Sequence, residues 1–278
     1  MLKHITVASI GALALAGTPA LAQSTPTTFD GPYIGGAVGL ESIDDGANGL
    51  QFDTNRDGTF GENVNTTTGA NAFSPGFCNG AALGNNAGAG CGNDDEEISY
   101  AVRLGFDKRF GSFVGGLLVE GQQSDAVDFE SGFSTTPASY TYARGIDKSI
   151  AARARLGISP GDGRGLIYAT GGVAYADIDR SFTTTNGANA FRLDDEGDDM
   201  VFGYQAGGGV ELMLAGGFSL GAEYLYSRFK DKDGFVEVTQ GTAPATNPFL
   251  INGGGTFLRP ADRSIDQHQF RVTAGFHF

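Results

Sequence analysis

The chain has no tryptophan, and its 278 residues include only two cysteines, three methionines, three histidines and nine prolines. The histidines give catalysis little support. His4 lies at the N-terminus, and His268 and His277 fall in the last apolar stretch with no Ser or Asp spaced to complete a triad. The nucleophile-elbow, zinc-peptidase, P-loop and dinucleotide fingerprints are also missing. Basic residues are scarce: 18 Lys and Arg face 32 Asp and Glu, a net charge of −14, so nucleic acid would meet repulsion where it needs counterion release. Low proline and the lack of a Gly-X-Y period exclude collagen despite 45 glycines, while 40% hydrophobic and 11% aromatic residues exclude disorder. After the N-terminal segment, no apolar run approaches the roughly 18 residues of a spanning helix.

The N-terminal segment, residues 1–22, carries Lys3 and His4, an apolar stretch from Ile5 to Ala16, and small residues at Ala20-Leu21-Ala22 before Gln23. It reads as a secretory signal cleaved after Ala22, leaving residues 23–278 as the exported chain. Export places Cys78 and Cys91 in an oxidising compartment. With no His nearby and no C-x-x-C spacing, a zinc or redox site is disfavoured and a disulfide is expected.

The rest of the chain alternates with period two in eight segments: about 32–42, 98–107, 112–123, 145–158, 165–178, 201–214, 218–229 and 269–278. In the second, Ile98, Tyr100, Val102, Leu104 and Phe106 alternate with Ser99, Ala101, Arg103, Gly105 and Asp107. The fifth has an open phase, since either Leu166/Tyr168 or Ile167/Val173/Tyr175 could be its apolar face. Connections alternate too, with short turns near 107–111, 159–165 and 215–217, and long ones near 43–95, 125–144, 179–200 and 230–264. The expected fold is therefore all-β: an eight-stranded antiparallel up-and-down transmembrane β-barrel with long external loops, the first of them (about 43–95) partly structured by the disulfide. Alternation alone leaves open a soluble barrel with the apolar face inside. The export signal, the aromatics near strand ends and a last strand closing on Phe278 favour the membrane.

Several stretches carry a family likeness: FDGPYIGGAVGL (29–40), GGVAYA (171–176), GYQAGGGVEL (203–212), LGAEYLYSRF (220–229) and FRVTAGFHF (270–278). On these the chain resembles the opacity-type, Omp25/31-like small outer-membrane β-barrel proteins of Gram-negative bacteria. The resemblance implies an eight-stranded barrel at the cell surface in a functionally mixed group. It implies that Phe270, Phe276 and Phe278 form the C-terminal signal read by the outer-membrane assembly machinery. The expected partners are outer-membrane lipid, lipopolysaccharide and that machinery, with no nucleic acid, and a monomer is favoured although the sequence does not fix the oligomeric state.

In a barrel of this size the lumen is just wide enough for side chains to fill it. Arg103, Glu120, Arg153, Arg155, Glu211, Glu223 and Arg271 share the polar face and are expected to pair across it, because buried charges must be compensated. The network either plugs the barrel or gates a narrow pore. Asp53, Asn55 and Asp57, followed by Gly58, match the first half of a calcium loop. Val64 stands where the bidentate Glu belongs, so an ordinary Asx-turn explains the residues equally and Ca2+ is the one cofactor considered. Acidic runs at 94–97 and 194–199 read as solvated faces or as bridges to anionic lipid. The polar stretches 183–189 and 242–249 show no chemical signature. The expected function is a surface-exposed, non-catalytic envelope and interaction role, with a narrow porin as the alternative.

Overall fold

The computed structural model describes residues 28–44, 49–92, 97–194, 200–231 and 234–278. The expected signal segment lies outside the described residues, as do Asp94, Asp95 and Glu96 of the first acidic run and Asp195, Glu196, Asp198 and Asp199 of the second. In chain order the strands are β1 (Gly31–Ile43), β2 (Leu50–Asp53), β3 (Gly76–Asn79), β4 (Glu97–Phe110), β5 (Phe113–Gln123), β6 (Val127–Ser134), β7 (Ala138–Ile158), β8 (Gly165–Thr184), β9 (Ala190–Asp194), β10 (Met200–Met213), β11 (Phe218–Phe229), β12 (Phe235–Thr239), β13 (Thr256–Pro260) and β14 (Ile265–His277).

Eight of them form a closed antiparallel ring in the order β7-β5-β4-β1-β14-β11-β10-β8, with β8 returning to β7. Closure leaves no edge, which is what lets strands cross lipid with every backbone group paired. The faces settle the question that alternation left open. Leu117, Leu156 and Phe270 are 69%, 72% and 68% exposed, while Arg103 and Glu120 are 3% and 2% exposed. Apolar side chains face outward and charges face inward, the inverse of a soluble barrel. In the fifth barrel strand, Leu166 and Tyr168 point inward, and Ile167, Val173 and Tyr175 face the lipid.

Two expectations need correction. Strands β7 and β8 run well past 145–158 and 165–178, and the segment 125–144 is not a loop but a hairpin of β6 with the outer half of β7. The two neighbours share β7: β5 leaves it at Gln123 opposite Lys148, and β6 takes over at Val127 opposite Gly145, with a register shift between Ile146 and Lys148. Alternation fails there because β7 residues 138–144 are buried on both faces, so no period-two signal survives.

Outside the membrane the long connections fold together. Strands β2, β13, β12 and β9 make a second antiparallel sheet. Its apolar side packs with residues of the first excursion and of β7 into one core that includes Phe52, Phe73, Tyr140, Val236, Phe249 and Leu258. Phe73 lies 4.4 Å from Phe52 and 5.1 Å from Tyr140, ring centre to ring centre. The four external excursions thus form a cap with its own core, so the first is organised by burial of Val64, Ala72 and Phe73 as well as by its disulfide. Cys78 on β3 is joined to Cys91 with the Cα atoms 6.3 Å apart, tying the 79–91 excursion back to the β3–β6 pair.

Candidate functional site: the filled lumen and the cap

From the short-turn end outward, the lumen is filled in layers. Phe29, just before β1, closes the first layer with Val114, Leu166, Tyr168 and Met213, all buried. Above it Arg155 donates from Nε to Asp107 Oδ1 at 2.7 Å and from Nη1 to Glu211 Oε2 at 2.9 Å. The Arg155 guanidinium also stacks between Tyr33 and Tyr168, 4.7 and 5.3 Å from their ring centres. There is no spare space here. A Cβ on Gly116 would collide with the Asp107 carboxylate and come 3.2 Å from Arg155 Cγ, so only glycine fits.

The next layer joins three arginines to two glutamates. Glu120 receives Arg103 at 2.9 Å, Arg153 at 2.8 Å and Arg271 at 2.7 Å. Glu223 receives Arg103 at 3.3 Å, pairs closely with Arg271, and accepts the Tyr168 hydroxyl at 2.8 Å. Register creates these contacts: Arg103 lies directly opposite Glu120 on the β4–β5 ladder, and Glu223 opposite Arg271 on β11–β14. All seven charges expected to share the lumen do so, in two adjoining groups. Sequence reading missed Asp107, which has the inward phase of Arg103 but was assigned to the turn 107–111 and lies within β4, as well as Tyr33 and Tyr168, the latter in the strand whose phase was open.

Outside the arginine layer the lumen divides. On one wall Glu41 accepts amide hydrogens from Gln122, Gln267 and Gln269 at 3.3, 3.1 and 2.8 Å. On the other, Ile146, Ile178, Val201, Phe229 and Ile265 form a buried apolar cluster with Ala151, Ala174 and Ala176. Charges alone suggested an Arg/Glu lumen throughout. The apolar cluster escaped notice because Ile146, Ile178, Val201 and Phe229 fall at the ends of the segments read as strands, 145–158, 165–178, 201–214 and 218–229.

The junction with the cap holds a further ion-pair group. Arg144 donates from Nε to Asp128 at 3.0 Å and reaches Glu130 at 3.5 Å, and Arg180 donates to Asp231 at 2.8 Å. Burial, reinforced by Asp128 and only partly offset by Arg144, pushes the Glu130 carboxyl up to about 8.

The residues that match the half calcium loop form a turn. Asp53 accepts the N–H groups of Asp57 and Gly58 at 3.2 and 2.8 Å, and Asn55 accepts that of Asp57 at 3.0 Å. Asp57 accepts the Thr59 N–H at 2.8 Å, and hydrogen bonds from Thr59 hold its carboxyl below the usual range. Glu62, the nearest further carboxylate, instead takes both the N–H and the hydroxyl of Thr54 at 2.7 Å. Among the described residues no group of three or more His, Cys, Asp or Glu side chains is placed to hold a metal.

One pairing was not foreseen. At the short-turn rim Ser219 Oγ lies 3.1 Å from His277 Nε2 and donates to Glu211 Oε1 at 2.5 Å, while Glu211 Oε1 lies 3.5 Å from the same Nε2. Phe270, Phe276 and Phe278 lie along β14 and its end. Phe270 and Phe278 are exposed on the lipid side, and Phe276 stacks edge-on against Phe218 at 5.0 Å and Phe278 at 5.0 Å.

A closed ring of eight antiparallel strands with a lipid-facing apolar belt and a charged, filled interior defines a transmembrane β-barrel. Residues 8–278 match the outer membrane protein beta-barrel domain family, and the chain belongs to that family. It is similar to the 31 kDa outer-membrane immunogenic proteins of Brucella melitensis biotype 1 and Brucella suis biovar 1, 29% identical over 170 residues that cover 53% of this chain and 70% of theirs. Among solved structures it is similar to the outer membrane protein OprG from Pseudomonas aeruginosa, with 12% identity, a TM-score of 0.49, and 90% of this chain and 98% of that one covered. The family likeness read from the strand motifs is thereby shown, and the outer membrane is the protein's location.

Proposed function

We propose that this protein is a closed, surface-exposed barrel that contributes to envelope integrity and carries an extracellular cap for external interactions, with neither conduction nor catalysis. The observation behind this reading is the filled lumen. An apolar layer around Phe29 closes the short-turn end, the apolar cluster around Phe229 lines one wall of the outer end opposite the Glu41 glutamines, and between them three arginines are locked onto two glutamates. A charge gate would also have to open past the Phe29 layer, so breaking ion pairs alone does not clear a path. This favours the plug over the narrow porin. The name of the Brucella relative, an outer-membrane immunogenic protein, supports exposure of the cap.

The Ser219–His277–Glu211 group does not argue for a hydrolase. Serine and carboxylate both approach Nε2, and Nδ1 has no hydrogen-bond partner. A relay needs the carboxylate on the nitrogen opposite the nucleophile. Ser219 is also buried, so a substrate has no approach. On this reading the protein works as a monomer without a cofactor. Its partners are outer-leaflet lipid, lipopolysaccharide and the assembly machinery, and export involves cleavage after Ala22.

Liposome swelling tests the reading. Folded protein, verified by its shifted mobility on unheated gels, is incorporated into vesicles and exposed to small neutral and ionic solutes. The expected result is swelling no faster than in protein-free vesicles. Swelling that scales with protein and falls with solute size would establish the porin instead.

A further inference from the structure

At the membrane-distal tip of the cap, the four excursions meet around a cleft of about 290 Å3. The first contributes Ala72, the β6–β7 turn Thr135 and Thr136, the β8–β9 turn Asn186 and Gly187, and the β12–β13 connection Asn247 and Phe249. Two of these segments are the polar stretches, 183–189 and 242–249, that carried no signature in the sequence. The volume sits at the lower end of the ~300–1,000 Å3 typical of small-molecule sites.

The chemistry of the lining is selective. In a chain of net charge −14, none of the residues lining this cleft is charged. Its floor is aromatic: Tyr140 and Phe249 are buried and pack edge to face with ring centres 5.7 Å apart. Its rim is built of hydroxyls and carboxamides. Asn186 is fixed by donating to the Tyr140 hydroxyl at 3.0 Å and to Asn189 at 3.1 Å. Asn247 is fixed by exchanging hydrogen bonds with Asn189 at 3.1 and 3.4 Å and by accepting the Phe249 N–H at 3.0 Å. That leaves one N–H of Asn247 unspent. The exposed side chains of Thr135 and Thr136 are also unspent, making no hydrogen bond to another described residue. A rigid apolar floor surrounded by neutral donors and acceptors suits a ligand with one C–H face and a ring of hydroxyls, and rigidity lowers the ordering cost of binding.

We infer that the apical cleft binds a neutral saccharide. The same sugar chemistry could come from the polysaccharide of the bacterium's own outer leaflet or from the glycans of another cell. The inference rests on the cap being the working part of the molecule, and it can fail separately from the closed lumen, which swelling and conductance test.

The test is saturation-transfer NMR on the folded full-length protein in micelles. The probes are maltotetraose, lactose, triacetylchitotriose, the polysaccharide released from the organism's own lipopolysaccharide, and a heparin oligosaccharide. Gly187→Trp is the blocking variant: Gly187 lines the cleft, has an ordinary φ, and a Cβ there meets nothing within 4 Å. Leu83→Ala, at an exposed site outside the lining, is the control. The expected result is transfer to a neutral saccharide, at least tenfold weaker in Gly187→Trp and unchanged in Leu83→Ala, with both variants heat-shifting like the parent. Transfer to the released polysaccharide identifies the bacterium's own envelope as the source, and transfer to the panel sugars alone identifies another cell's. No transfer to any neutral probe, transfer only to heparin, or transfer unaffected by Gly187→Trp overturns the inference.

Discussion

Arg271 on β14 donates from Nη1 to Glu120 Oε1 on β5 at 2.7 Å, joining strands three places apart around the ring. The same carboxylate also receives Arg103 and Arg153, so one buried anion holds three buried cations. Removing one partner of a buried pair is costly because it strands the other, by about 3–5 kcal/mol. Glu120→Ala is therefore expected to lower unfolding stability in detergent by about that amount, and Arg103→Ala by less, since Glu120 then keeps two arginines. Denaturant titration of both variants checks the asymmetry, and equal losses would remove Glu120 from the centre of the network.

Glu130 makes the attachment of the cap depend on pH. Its carboxyl is pushed up to about 8 in the folded protein, chiefly by burial, against roughly 4.3 for an exposed Glu. Raised on folding, it contributes stability that is fully present below the unfolded pKa and lost as pH rises through the folded one. Protease nicking of the 125–146 region is expected to accelerate between about pH 5 and pH 8, after correction for the protease's own pH profile. Glu130→Gln should flatten that rise. A slope unchanged in the variant would show that another group titrates there.

The disulfide acts locally. Cys78 and Cys91 close the 79–91 excursion, while Phe52, Phe73 and Leu258 hold the rest of the cap by burial. Cys78→Ser is expected to leave barrel assembly and gel mobility unchanged while speeding cleavage within 79–91. The loss is about 3 kcal/mol of local stability, the figure for a closed loop of roughly 15 residues. Collapse of the whole barrel would show that the excursion is needed for the fold.

Phe278 tests the C-terminal signal. It is exposed to lipid, and its N–H donates to the Pro32 carbonyl at 3.0 Å. Deleting it is expected to reduce the amount of folded protein in the outer membrane several-fold, read on unheated gels of membrane fractions. Unchanged levels would place the signal elsewhere.

The barrel was legible in the sequence because lipid on one side and a narrow lumen on the other impose strict alternation. That constraint carried all eight barrel strands and all seven lumen charges, from Arg103 to Arg271. It ends where the lipid ends. Beyond Ile146 both faces of β7 are covered, so Tyr140 and Tyr142 look like loop residues although they floor the cap. The cap sheet pairs β2 with β13, segments about two hundred residues apart, and such pairing leaves no local pattern. The apolar lumen layers were hidden for a related reason: Phe29, Phe229 and Ile265 lie at strand ends, where apolar residues are expected to face the membrane interface.

Planar-bilayer recording of the folded wild-type protein beside the Glu120→Gln variant tests the closed lumen most directly. The layered interior predicts silence from both, because the apolar layer around Phe29 persists when the ion pairs are weakened. Discrete channel steps in the wild type, altered in Glu120→Gln, would contradict it and make the arginine layer the gate of a pore.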